Sequence, residues 1–135
     1  DDYLGDVHQR LLFYKRISNT DTQEKLDNIR MELIDRFGIP PQAVKQLFSV
    51  HQVRLKAEQL GITKVDVNTN GGYIEFSPDT PVQAISIIQL MQKNPTHYRM
   101  EGGQRLKLTV HLSEYEERIQ FIVTLLNKLL SELNG

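Results

Sequence analysis

Four histidines, six serines and a complete lack of cysteine limit what chemistry this sequence could build. His8, His51, His97 and His111 never recur at the spacing, roughly three to five residues, that sets two imidazoles on one helical face around zinc. Ser18, Ser49, Ser77, Ser86, Ser113 and Ser131 all lack the Gly-x-Ser-x-Gly elbow of an acyl-transfer nucleophile. The glycine pairs Gly71-Gly72 and Gly102-Gly103 lie between alternating segments, so they read as hairpin turns and not as phosphate cradles. What remains is His51, Arg54 and Glu58 along one helix, either a catalytic cluster or the hydrogen-bonded boundary of a core. With no other support for catalysis, the chain is expected not to be an enzyme and to use no cofactor or metal.

A second grouping is chemical in a different sense. Wound at about 100° per residue, Glu24, Asn28, Met31, Glu32 and Asp35 fall on one side of a helix, opposite Leu26, Ile29, Leu33, Ile34 and Phe37. An acidic face of this kind is either ordinary solvation, with Glu32 and Arg36 as an i,i+4 pair, or a docking surface for a cationic partner. Met31 favours docking, because a flexible apolar side chain among carboxylates suits a contact that mixes packing with ion pairs.

The elements that must position these residues follow from periodicity. Leu4, Val7, Leu11 and Tyr14 predict a first helix from Leu4 to Ile17, and Asp21 or Thr20 is placed to cap a second that runs to Phe37. Gly38 stops it, Pro40-Pro41 opens a third helix that carries Val44, Leu47, Phe48 and Leu55 inward, and Gly61 ends that one. The period then changes to two. Thr63, Val65 and Val67, then Ile74 and Phe76, form a hairpin about Asn70-Gly71-Gly72, and Tyr98 and Met100 with Leu106, Leu108, Val110 and Leu112 form another about Gly102-Gly103. Between them Thr80-Pro81 starts a fourth helix with Gln83 in a capping box and Ala84, Ile85, Ile88 and Met91 as its apolar stripe.

Ser113 with Glu116 caps a last helix whose apolar side is Tyr115, Ile119, Ile122, Leu126, Leu129, Leu130 and Leu133. Phe121 and Leu125 fall off that side, so this helix is either covered twice or offers a patch to a partner. The fold class is therefore α+β: an N-terminal three-helix part, then an antiparallel sheet of about four strands with a helix between its hairpins and a C-terminal helix covering it.

At 135 residues, 39% apolar and 24% charged, the chain is expected to be one domain, with residues 1–60 helical and 61–135 sheet and helix. A net charge of −1 gives no basic excess for phosphate backbones or anionic lipid, so neither nucleic acid nor membrane is an expected partner. The absence of cysteine fits a reducing compartment, the cytoplasm, and the isolated domain is expected to be monomeric. Beginning at Asp1 and not at Met, the chain is expected to be a piece of something longer.

Four runs, taken in order, resemble a known family. Arg10-Leu-Leu-Phe-Tyr-Lys-Arg-Ile17, Glu32-Leu-Ile-Asp-Arg-Phe-Gly38, Gly71-Gly-Tyr-Ile-Glu-Phe76 and Pro95-Thr-His-Tyr-Arg99 resemble the C-terminal domain of bacterial transcription-repair coupling factor (Mfd). The resemblance implies a regulatory module of a DNA-translocating ATPase whose motor lies upstream. It implies that the module folds back on the N-terminal UvrA-binding module of the same protein, masking it until stalled RNA polymerase and DNA are engaged, so that its control of UvrA is indirect. It assigns the contact to Glu32 and Asp35, paired with arginines of that module. The alternative is a free-standing adaptor that binds another basic protein through the same face.

Overall fold

In the computed structural model the first helix, α1 (Val7–Ser18), buries Phe13 and Ile17 and leaves Val7 and Leu11 in solvent, Leu11 being 59% exposed. This corrects the expected stripe of Val7, Leu11 and Tyr14; Leu4, its first member, lies outside the described residues, which are 7–133. The reason is polarity. α1 is apolar on two sides, and the side with Phe13 and Ile17 buries no polar group, whereas burying the other would take the Tyr14 hydroxyl out of water. Phe13 meets Phe37 edge-on, with centroids 6.0 Å apart and planes at 86°.

α2 (Gln23–Phe37) starts at Thr22, whose extended backbone lets its side-chain oxygen accept the Lys25 N–H at 3.2 Å. The cap is neither Asp21 nor Thr20. Asp21 instead pairs with Lys25 at 2.9 Å, and the Thr20 hydroxyl donates to the Ile17 carbonyl. Thr22→Ala is expected to cost about 1 kcal/mol of unfolding free energy in a urea titration, the usual worth of such a cap. At the other end Gly38, at φ 86°, donates its N–H to the Ile34 carbonyl at 2.9 Å and stops the helix, as the sequence indicated.

The chain forms two compact units, one up to Leu55 and one from Lys56 onward, with the division inside α3 (Gln42–Gln59). In the first unit Phe13 and Ile17 pack with Leu26, Ile29, Leu33, Val44, Phe48 and Leu55, with Phe37 and Leu47 at the margin. Ile34, expected in this core, is exposed: the row Leu26, Ile29, Leu33 and Phe37 already fills the buried side of α2.

The second unit contains a sheet of four strands, β1 (Ile62–Asn68), β2 (Gly71–Phe76), β3 (Tyr98–Glu101) and β4 (Arg105–Thr109), in the order β1-β2-β4-β3 with every pair antiparallel. Its inward rows follow the register, Val65, Ile74, Leu106 and Met100 in one and Val67, Gly72, Leu108 and Tyr98 in the next. α4 (Ala84–Lys93) and α5 (Tyr115–Leu133) supply the apolar cover, through Ile87 and Leu90 and through Ile122, Leu125, Leu126 and Leu129. The expected α+β architecture of helices, hairpins and a closing helix is the one observed.

Details of these helices differ from the sequence reading. α4 begins at Ala84 without a side-chain cap from Gln83, because the Thr80 hydroxyl is used to bond the Leu60 carbonyl and the Val82 N–H. Its buried face is Ile87 and Leu90, and Ile85 and Ile88 point to solvent. α5 is capped one residue later than Ser113 and Glu116 suggested: Glu117 accepts from the Glu114 N–H at 3.0 Å and from the Ser113 hydroxyl at 3.2 Å. Leu125 is buried, and the half-buried Phe121 stacks on Tyr98 with ring centroids 6.2 Å apart, so the second apolar side of this helix is partly covered within the fold.

Candidate protein-interaction surface

Along the outer side of α2, Met31 is 63% exposed, with Ile34 and Asp35 exposed beside it. Within a helix these three positions span about 100° of arc, so they form one narrow patch. Glu24 and Asn28 extend it toward the N-terminus, both in solvent. Among the described residues the Asp35 carboxylate has no ion-pair or hydrogen-bond partner. Here is a bare negative charge flanked by two apolar side chains, a composition that fits a cation embedded in an apolar rim.

Glu32 is differently placed. Arg16, from the last turn of α1, forks onto it, Nη2 to Oε1 at 2.8 Å and Nη1 to Oε2 at 2.9 Å, and Arg36 adds a longer bond to Oε2 at 3.4 Å. Both guanidiniums lie over rings: Arg16 is 5.1 Å from the Phe13 centroid, and Arg36 is 5.1 Å from Phe37 and 5.7 Å from Phe13. Two cations around one carboxylate leave this spot net positive. The Arg36 contact is the surface pair expected from spacing, whereas Arg16 carried no local signal, standing 16 residues away in sequence.

The Arg16 hydrogen bonds hold the Glu32 carboxyl below the usual carboxylate range, against the upward push of partial desolvation. A depressed carboxyl contributes stability above its unfolded pKa and loses it as pH falls through the folded one, so this α1–α2 tie is intact at neutral pH and released only in acid.

Two members of the other proposed cluster are tied to backbone. His51 is buried with Nε2 3.0 Å from the Thr20 carbonyl, and Arg54 donates to the Ser18 carbonyl at 3.0 Å. Both side chains thus satisfy backbone oxygens at the α1–α2 turn, which is the core-boundary reading of those residues. Glu58 is exposed and lies in the second unit. Among the described residues no group of three or more His, Cys, Asp or Glu is placed to hold a metal, and no helix is long and apolar enough to cross a membrane. A groove of about 450 Å³ in the second unit is floored by Leu90, Tyr98, Phe121 and Leu125, with Glu117 and Lys128 at its rim.

Against known families, residues 1–87 match the TRCF domain model. The chain belongs to the TRCF domain family. This TRCF domain is 44% identical over 129 residues to the transcription-repair-coupling factor of Haemophilus influenzae and 42% identical to that of Escherichia coli K12, covering 96% of the chain each time. It spans only 11% of the length of either relative. Its fold is that of a crystal structure of the C-terminal domain of transcription-repair coupling factor, with a TM-score of 0.79 at 22% identity over 97% of this chain and 84% of that one. The resemblance carried by the four ordered runs is therefore sound.

Proposed function

We propose that this TRCF domain is an autoinhibitory interaction module, docking through the outer face of α2 on the N-terminal UvrA-binding module of its parent protein and masking it until stalled RNA polymerase and DNA are engaged. The observation that carries the reading is the unpartnered carboxylate of Asp35 between exposed Met31 and Ile34. Such a surface suits a reversible clamp. One or two charge-assisted contacts with an apolar margin give modest affinity that salt weakens, and tethering supplies the effective concentration that keeps a weak contact closed.

Asp35→Arg in the full-length protein tests this. The substitution sets a cation against a cationic partner, so UvrA binding is expected to strengthen on the order of tenfold. Unchanged UvrA affinity, with the domain still folded, would defeat the proposal. Asp35 is the better probe than Glu32, because Glu32→Arg would gather three guanidiniums and strain the α1–α2 tie.

A further inference from the structure

Glu32 and Asp35 look equivalent in sequence, and the structure separates them: one carboxylate is bare and the other is already gripped from α1. A carboxylate offers about four lone-pair sites, and three hydrogen bonds reach Glu32. A partner arginine can therefore fork onto Glu32 only by displacing a cation that is present in the undocked domain. Arg36 is the weaker holder, with one bond at 3.4 Å and its guanidinium over Phe37, and its departure would still leave Arg16 bridging both oxygens in the forked geometry that a partner arginine needs. Arg16 takes both oxygens, and its side chain is 44% exposed, so it is free to swing into solvent when displaced.

We infer that Arg16 is an internal competitor for Glu32, set on α1 to weaken docking of the α2 face by occupying the carboxylate that a partner cation must take. This rests on the docking reading above and adds a residue that limits its strength. The device has a clear physical use: exchanging one guanidinium–carboxylate fork for another changes the free energy little, so Glu32 contributes selectivity for a cation without locking the clamp shut. Asp35, with no internal competitor, carries the larger share of attraction.

Two measurements test it. In the domain itself, Arg16→Gln is expected to raise the Glu32 carboxyl pKa toward the ordinary carboxylate range in an NMR titration; an unmoved Glu32 would mean that Arg16 does not hold it in solution and would overturn the inference. In the full-length protein, Arg16→Gln is expected to tighten docking and so lower UvrA binding, by about three- to tenfold. Removing any positive charge could favour a cationic partner, so a double-mutant cycle decides between competition and a general field effect. Under competition the Arg16→Gln effect vanishes when Glu32→Gln is also present and persists alongside Asp35→Asn. An effect that survives Glu32→Gln overturns the inference. UvrA binding that responds to Asp35→Arg but ignores Arg16→Gln overturns only the competitor role, whereas indifference to Asp35→Arg removes the docking reading and this inference with it. Helical circular dichroism of each variant verifies that the fold is kept.

Discussion

Leu33→Ala is expected to lower the stability of the helical unit by about 2–5 kcal/mol, read as a shift in the urea midpoint, while Met31→Ala two residues earlier leaves stability within about 0.5 kcal/mol. Leu33 is fully buried among Phe13, Ile29 and Phe48, in a cluster built from three helices. Truncating it removes transfer free energy and leaves a cavity that neighbours on separate helices cannot easily fill. Met31 sits on the opposite side of α2, largely in water, and has little burial to lose. A small unit leans heavily on each core residue, so a loss of this size populates states in which α2 no longer presents Asp35 and Met31 in register. Under the proposed docking, the pair of variants separates a defect of folding from a defect of docking: Leu33→Ala is expected to move stability and UvrA binding together, and Met31→Ala to move UvrA binding alone. Equal stability losses for the two would show that α2 is not oriented with Leu33 inward.

Much of this architecture was readable because the sheet is one-sided. Ile74, Phe76, Leu106 and Leu108 alternate with polar neighbours, and a period of two admits a single inward face. Helices gave less. α4 carries Ile85, Ile87 and Ile88 close together, and periodicity cannot choose between overlapping arcs of isoleucine when only one arc meets the sheet side of the core. α1 is ambiguous for the same reason, with Phe13 and Ile17 competing against Val7, Leu11 and Tyr14. Caps slipped because several cap-competent residues stand together: Thr20, Asp21 and Thr22 all carry a suitable oxygen, and the choice depends on which backbone is extended, a property of the folded turn.

The candidate interaction surface divides along the same line. Helical spacing alone places Met31 and Asp35 outward, and both are exposed. Spacing also supplied the Arg36 pair of Glu32. It could not supply Arg16, since a contact between two helices depends on their packing register and not on any interval in the chain. His51 shows the converse: a polar residue on an apolar face signals a buried hydrogen bond, but its partner, the Thr20 carbonyl, lies 31 residues away. Local patterns therefore state which residues need a partner, and only the fold states which partner they receive.

In the sheet unit, Gly72→Ala is expected to cost about 2–4 kcal/mol, comparable to a core truncation although a methyl group is added and none is lost. The hairpin turn itself is Thr69-Asn70, closed by the register of Asn68 with Gly71 and by the Asn70 N–H on the Asn68 side-chain oxygen at 2.8 Å. Gly71 and Gly72 are therefore not turn residues, as their sequence suggested, but the first residues of a central strand, hydrogen-bonded to β1 on one side and β4 on the other. Gly72 adopts φ 122°, and a Cβ there would run into the Asp66 carbonyl oxygen across the β1–β2 ladder. Backbone on both flanks prevents relief by a side-chain rotation, so either the strand pair separates locally or the residue is driven out of its conformation. Because Gly72 shares its row with Val67, Leu108 and Tyr98, the disturbance is expected to reach the Tyr98–Phe121 stack and appear as a changed tyrosine environment in near-ultraviolet circular dichroism. A Gly72→Ala domain with unchanged stability and an unchanged tyrosine signal would mean that β2 does not hold this close approach in solution.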